Sequence, residues 1–307
     1  MIRHLFLLGL PASGKSEIRR FLEHLDADVG ADLGLGALVH LDDFPYVHLM
    51  RRIDDELEAR GEARRFFIAA DDTFRDPRDW LTLSILLDED VARIDDPDSS
   101  STEPVGWVLA RLDEAAGRVG IPPRCEGLPT PVVAGVADVA EALAAERSAA
   151  PPPRTRTVLV EFARGGPEGA RPPLPEPLGY RASLARFRPE TLRRAGLLYV
   201  WVTPEEARRR NRERARPGEE GSVLHHGVPE PVMRRDYGTD DFCWLLSTGG
   251  GGHVPVDTAE GRLLVPAAVF DNRRDRTSFA RGDPARWPDA AVADLEDGLA
   301  EALARLR

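Results

Sequence analysis

A chain of 307 residues, 42% hydrophobic and 30% charged, has an ordinary globular composition and is long enough to bury a sizeable core. Lys and Arg number 41 against 52 Asp and Glu, a formal net charge of −11. No broad basic footprint for nucleic acid exists, so any bound anion must be held by a local basic site. The two cysteines, Cys125 and Cys243, stand in no ligand spacing, which argues against a disulfide framework and a structural zinc.

Residues 2–8 are a short apolar run, predicted as a buried strand. The run is too short for a signal peptide and leads into glycine, and no stretch reaches the length of a membrane span. A cytoplasmic protein is expected. Gly9, Gly14, Lys15 and Ser16 then spell GxxxxGKS. Ile18, Phe21, Leu22 and Leu25 follow at helical spacing, so strand, loop and helix come in the order a P-loop requires. Gly9 and Gly14 let the backbone curl, so that the N–H groups of Pro11's neighbours, Ala12, Ser13 and Gly14, point inward at phosphate oxygens. The helix adds its positive end, Lys15 neutralises the outer phosphates, and Ser16 offers a hydroxyl to Mg²⁺.

Residues 28–36 read as loop and 37–41 as a second short strand, ending in Asp42 and Asp43. From 45 to 156 the texture changes. Helical patterns recur over 51–65, 80–91, 105–116 and 136–150, with a polar linker at 95–104 and a Pro-rich connector at 151–156. This region is read as a helical insertion in the parent domain. The core resumes with a strand at 157–161 and a Gly/Pro loop at 164–180. A helix over 183–195 and a strand over 197–202 follow. A helix begun by Pro204 runs over 205–216, and a polar stretch extends to 241. A glycine turn at 249–252, a last strand at 263–270 weakened by Pro266, and a helix over 289–307 complete the chain. Strands alternating with helices predict one α/β domain over 1–307, with a parallel sheet covered on both faces.

Asp42 follows a strand end, and in a parallel sheet those ends share one crevice. A carboxylate there can hold an attacking hydroxyl in line with a phosphate or accept its proton. A helix cap is the plain alternative. With the P-loop, this D-x-F pattern resembles the nucleoside and small-molecule kinases, uridine kinase and phosphoribulokinase being the nearest. The resemblance implies a three-layer α/β/α P-loop kinase fold, ATP and Mg²⁺ as cofactors, and the first Asp of the motif, Asp42, as catalytic base, with Asp43 as the second choice. It also implies that Glu161, ending its strand, helps Ser16 organise the metal, and that the insertion over 45–156 carries the acceptor-binding part. The competing reading makes Glu161 a solvated partner of Arg164.

Arg208, Arg212 and Arg216 repeat every four residues and share a helix face. The segment 204–245 is similar to the lid of nucleotide kinases. There Arg212 and Arg216 would stabilise the transferring group and Arg208 the nucleotide. Asn272, with Arg273 after it, resembles the residue whose loop lies beside adenine. His225 and His226 lack a third ligand and read as surface. The acidic runs at 54–58 and 88–98 read as solvated faces. The tryptophans read as packing.

Two functions fit. One is a phosphotransferase moving the γ-phosphate of ATP to a hydroxyl or phosphate of a small molecule, nucleosides and nucleotides included. The other is an ATPase that uses the insertion to bind a protein partner. No guanine-reading NKxD motif is present, and the third strand ends Glu161-Phe162 rather than Asp-Glu. The kinase is the preferred reading, with neither membrane nor nucleic acid expected as a partner.

Overall fold

The computed structural model describes residues 1–95, 103–148, 156–214 and 227–307. In it β1 (His4–Leu8) leads to α1 (Lys15–Glu23), α2 (Ala27–Asp32) and β2 (Ala37–Asp42). Helices α3 (Phe44–Glu58), α4 (Asp79–Asp95), α5 (Pro104–Arg118), α6 (Thr130–Gly135) and α7 (Ala137–Ser148) follow. The chain returns through β3 (Arg156–Phe162), α8 (Gly179–Leu184), α9 (Pro189–Arg193) and β4 (Ala195–Trp201). Next come α10 (Pro204–Arg214), α11 (Glu230–Arg235) and α12 (Phe242–Gly249). A hairpin of β5 (His253–Thr258) and β6 (Gly261–Asp271) precedes α13 (Asp289–Ala304).

The strands form one sheet in the order β2-β3-β1-β4-β6-β5. All neighbours are parallel except β5, which runs antiparallel along β6. The sheet is therefore mostly parallel, and the sequence reading passed over β5. Its alternation is broken by Pro255, which an edge strand tolerates because one side of its ladder is unpaired. Pro266, read as a weak point, lies one residue before the parallel ladder of β6 with β4 begins at Ala267. Leu8 sits beside Phe162 and Tyr199, Asp42 beside Glu161, and Trp201 beside Asp271. The loops after β1, β2, β3, β4 and β6 thus open on one edge. β3 stands between β1 and β2, so the second strand is one place removed from the first.

Successive residues of a strand face opposite sides, and β1 buries both. Phe6 and Leu8 join Phe162, Tyr180 and Tyr199 on one face. Leu5 and Leu7 join Ile18, Phe21 and Leu198 on the other, where α13 adds Leu295, Leu299 and Leu303 at the expected spacing. Each such side chain contributes about 1.5–3 kcal/mol by leaving water.

The region 45–156 has its own core, including Tyr46, Ile53, Phe66, Leu83, Leu112 and Val136. That core also takes in Leu10, Ala207 and Met233, so the helical region is continuous with the 9–16 loop and with α10 and α11. The far half of α4, through Leu87, Val91 and Ile94, packs on the sheet instead. Two parallel neighbours, β2 and β3, need a crossover, and α4 serves as its sheet-covering helix.

Several expectations are corrected. The helix read over 183–195 is two, because Pro189 forces Arg188 into an extended conformation (φ −67°, ψ 150°). Residues 28–36 include α2 rather than loop alone. The acidic runs are not solvated faces throughout. Asp54, Asp88 and Asp90 are buried. Asp54 accepts the N–H groups of Arg65, Phe66 and Phe67; Asp88 is bonded by Arg188 and Thr191; Asp90 is bonded by Tyr46 and Arg111. Within 204–245, Tyr237, Asp241, Phe242 and Leu245 are buried in the body of the protein, so the last part of that stretch is core. Cys125 is buried, Cys243 exposed, and both are free. Among the described residues no helix is long and apolar enough to cross a membrane.

Candidate active site

β1 ends at Leu8 and the chain turns sharply. Gly9 (φ 144°), Ala12 (φ 59°) and Gly14 (φ 108°) all take positive φ within six residues. Alternation of this kind turns successive N–H groups to one side and makes an anion-binding concavity. Glycine is required at both ends. A Cβ on Gly9 would lie 2.5 Å from the Val200 carbonyl oxygen, and one on Gly14 2.5 Å from Asn272 Nδ2 and Thr277 Oγ1. α1 starts at Lys15 immediately after Gly14, so its N-terminus points into the same concavity.

Distant residues clamp this loop. The Gly9 N–H donates to Tyr180 Oη at 2.8 Å. Burial keeps that phenol well above its usual pKa, so it stays protonated. Asn272 Nδ2 donates to the Ser13 carbonyl at 2.7 Å and to Thr277 Oγ1 at 3.0 Å, while its Oδ1 accepts the Arg276 N–H at 2.9 Å. Arg210 in turn donates to the Asn272 carbonyl at 2.8 Å. The Lys15 ammonium lies back along the loop, 2.9 Å from the Gly9 oxygen and 3.0 Å from that of Leu10.

Opposite the loop stand the strand-end acids. Ser16 Oγ donates to Glu161 Oε1 at 2.9 Å. His40 Nε2 lies 3.4 Å from Glu161 Oε2 and 3.5 Å from Asp42 Oδ2, within ion-pair reach but not aligned as a hydrogen bond. Arg19 Nε is 3.6 Å from Glu161 Oε2. Burial pushes the Glu161 carboxyl up, but His40, Lys15 and Arg19 outweigh it and hold it at about 2. Asp42 Oδ1 accepts the Phe44 N–H at 3.0 Å, an Asx turn that leads into α3 from one residue before its N-cap Asp43. Asp43 Oδ2 takes a 2.6 Å hydrogen bond from the buried Arg164, which packs over Phe162 and Trp80. Arg164 therefore serves Asp43 and not Glu161.

The loop and these acids enclose a crevice of ≈ 110 Å³ lined by Pro11, Ala12, Gly14, Lys15, Ser16, Glu17, Asp42, Asp43, Phe44 and Glu161, among others. A second chamber of ≈ 170 Å³ adjoins it. Asp43 and Phe44 line both, whereas Asp42 lines only the first. Phe67, Phe74, Trp80 and Tyr237 wall the second chamber, with Asp236 among them.

Lys15, Ser16, Asp42 and Glu161 are thus brought together. Other expected residues are not. Arg208 is buried against Glu168 (3.2 Å) and Glu205 (3.6 Å). Arg212 is exposed, 3.6 Å from Glu230. Neither lines the crevice. Arg216, His225 and His226 lie outside the described residues. Asn272 lies behind the loop with its amide fully engaged, which makes it a clamp on the loop. Sequence reading missed His40, Tyr180, Arg210, Thr277 and Asp236. Only His40 had a signal: it stands two residues before Asp42 on a strand, hence on the same face.

No protein-family model matches the chain, and comparison with curated proteins finds no significant relative.

Proposed function

We propose that the chain is a P-loop phosphotransferase that moves the γ-phosphoryl group of ATP to a hydroxyl of a small molecule. One observation carries this reading. A loop with three positive φ values opens α1 and faces a hydroxyl–carboxylate pair, in a crevice that shares Asp43 and Phe44 with a second chamber. A hydrolase needs the first half of this arrangement; a transferase needs both.

Ser16 and Glu161 fit a magnesium ion, since one carboxylate and a hydroxyl, completed by phosphate oxygens and water, suit its octahedral demand. Bound there, Mg²⁺ would neutralise charge on the phosphates. The chain's own groups would do the rest. Lys15 would swing from the loop carbonyls to the outer phosphate oxygens. Backbone N–H groups of the loop would hold the remainder. Asp42, beside His40 and Glu161, stays on the metal side. Asp43 reaches the acceptor side and there takes the role that the kinase resemblance gives to Asp42. Asp43 would orient the acceptor hydroxyl and receive its proton as the acceptor oxygen bonds to phosphorus and ADP departs. Arg164 fixes that carboxylate in place.

The first test is nucleotide-dependent thermal stabilisation. ATP with Mg²⁺ should raise the Tm of the wild type, and Lys15→Ala should abolish the effect. Equal stabilisation of both proteins would place the nucleotide elsewhere and end the proposal.

A further inference from the structure

The second chamber has a chemistry of its own. Its walls are aromatic: Phe67 and Phe74 stack at 4.6 Å, Phe74 meets Trp80 edge-on at 4.8 Å, and Trp80 meets Tyr237 at 5.6 Å. Apolar walls with a few placed polar groups are typical of small-molecule sites. The decisive feature is the sign of those polar groups. Arg51 sits 4.0 Å over the face of Phe67 and donates to the carbonyls of Ala70 and Asp72. Arg164 is engaged by Asp43. Burial lowers the pKa of His48, so its imidazole is neutral at pH 7. Asp43 is paired by the same contact with Arg164, which leaves Asp236 as the lining carboxylate that no guanidinium among the described residues engages. Asp236 is 5% exposed. Its Oδ2 accepts the Thr73 hydroxyl, while among the described residues Oδ1 has no hydrogen-bond donor. A carboxylate oxygen that no protein donor reaches, on a residue lining the chamber, favours a ligand that brings one.

We infer that this chamber is the acceptor site and takes a compact hydroxyl-bearing molecule with an apolar ring and an amine or other N–H donor, and with no phosphate or carboxylate. The inference rests on the phosphotransferase reading only for the fate of the hydroxyl, which lies toward Asp43. The N–H donor lies toward Asp236, and the ring between Phe67, Phe74 and Trp80. Among the described lining residues an anionic acceptor would meet Asp236 and the already paired Asp43, while the Arg51 guanidinium is turned to the Ala70 and Asp72 carbonyls, so nucleotides and sugar phosphates are disfavoured. Sugars carry more hydroxyls than these walls can bond.

Three probes share one skeleton and differ in charge: 2-amino-1-phenylethanol, 1-phenyl-1,2-ethanediol and mandelate. Their affinities for the full chain, measured by NMR titration at pH 7 without nucleotide, should fall in that order. Affinities in the millimolar range are expected of molecules this small. The amine should bind about ten-fold or more tighter than mandelate. Asp236→Asn should remove the amine's advantage over the diol and leave the diol within about two-fold. Should that variant not fold, hydrogen exchange of the wild type decides. The amine should slow exchange in 44–51, 66–80 and 228–237. Mandelate binding as tightly as the amine, no probe binding in the millimolar range, or protection elsewhere would each overturn the inference. No nucleotide is present in these measurements. The chamber can therefore pass while the Lys15→Ala test fails, or the reverse.

Discussion

The 9–16 loop and the aromatic chamber meet at Asp43, and they are built by opposite means. The loop is backbone. Its shape is fixed by two glycines, by Ala12 in the left-handed region, and by the hydrogen bonds that Tyr180 accepts from Gly9 and Asn272 donates to Ser13. Such bracing suits a site that must present N–H groups without reorganising. The chamber is side chain. Its walls come from α3, the 66–80 segment, α4 and the 228–237 segment, and Asp236 keeps one oxygen without a donor. A rigid backbone cradle suits a constant ligand; a side-chain chamber can be altered residue by residue without disturbing it.

The largest effect should follow from damaging the cradle. Gly14→Ala forces φ 108° on a residue with a Cβ and drives that atom to 2.5 Å from both Asn272 and Thr277. The backbone strain alone costs on the order of 1–3 kcal/mol. The loop must open to relieve it, so ATP-dependent stabilisation should vanish while probe binding in the chamber survives. Loss of both together would show that the two regions are not separable.

At the junction, Asp43→Asn keeps the size of the side chain and removes the charge. With an acceptor in hand, kcat should fall by about 10²–10⁴, with ATP affinity nearly unchanged. Asp42→Asn should act differently. It disturbs the turn into α3 and the neighbours of Glu161, so it should weaken the Mg²⁺ dependence more than the chemical step. If Asp42→Asn loses the chemical step and Asp43→Asn keeps it, the acid nearer Glu161 is the base and the junction is only structural.

The same contrast explains what was legible in the sequence. β1, the loop and α1 are contiguous, and their periodicities change from strand to helix within 25 residues. Asp42 and Glu161 end strands, which placed them at one edge before any coordinate was known. The clamps were invisible because nothing local marks them: Gly9 and Tyr180 are 171 residues apart. Asn272 was read only for the loop that follows it, and its bond to Ser13 went unseen. A strand-ending Asn is equally able to face a base or to brace a loop, and only the fold shows Ser13 beneath it. The chamber was illegible for a further reason. Phe67, Trp80 and Tyr237 each look like ordinary core residues, and it is the gap between them that matters. The sharing of α4 between two cores was likewise not legible, because its near half packs in the helical region and its far half on the sheet.

The smallest effect concerns the chamber's carboxylate and is a matter of pH. Burial, reinforced by Asp72, pushes the Asp236 carboxyl up to about 6, against a pull down from Thr73 and Arg235. Its ordinary value is 3.8. Below that both folded and unfolded chains hold the proton, and Asp236 has no differential effect. As pH rises from about 4 to about 6 the unfolded chain releases the proton first, so stability falls across this window and then levels. The shift corresponds to a loss of roughly 3 kcal/mol. Asp236→Asn cannot titrate, so the stability difference between wild type and variant should shrink or grow by about that amount, in the variant's favour, between pH 4 and pH 7. Urea unfolding at four pH values measures it. Asp240, held at about 6 chiefly by burial, titrates in both proteins and cancels. Glu161, held at about 2, acts mainly below the window. The direction also ties the two ends of the chamber's chemistry together. A cation seated on Asp236 favours the ionised form, so the amine probe should bind more tightly as pH rises to about 6 and no further, releasing a proton below that point. Parallel stability curves for the two proteins would mean that Asp236 is solvated in the folded chain, and the chamber would then lose the uncompensated charge on which its selectivity depends.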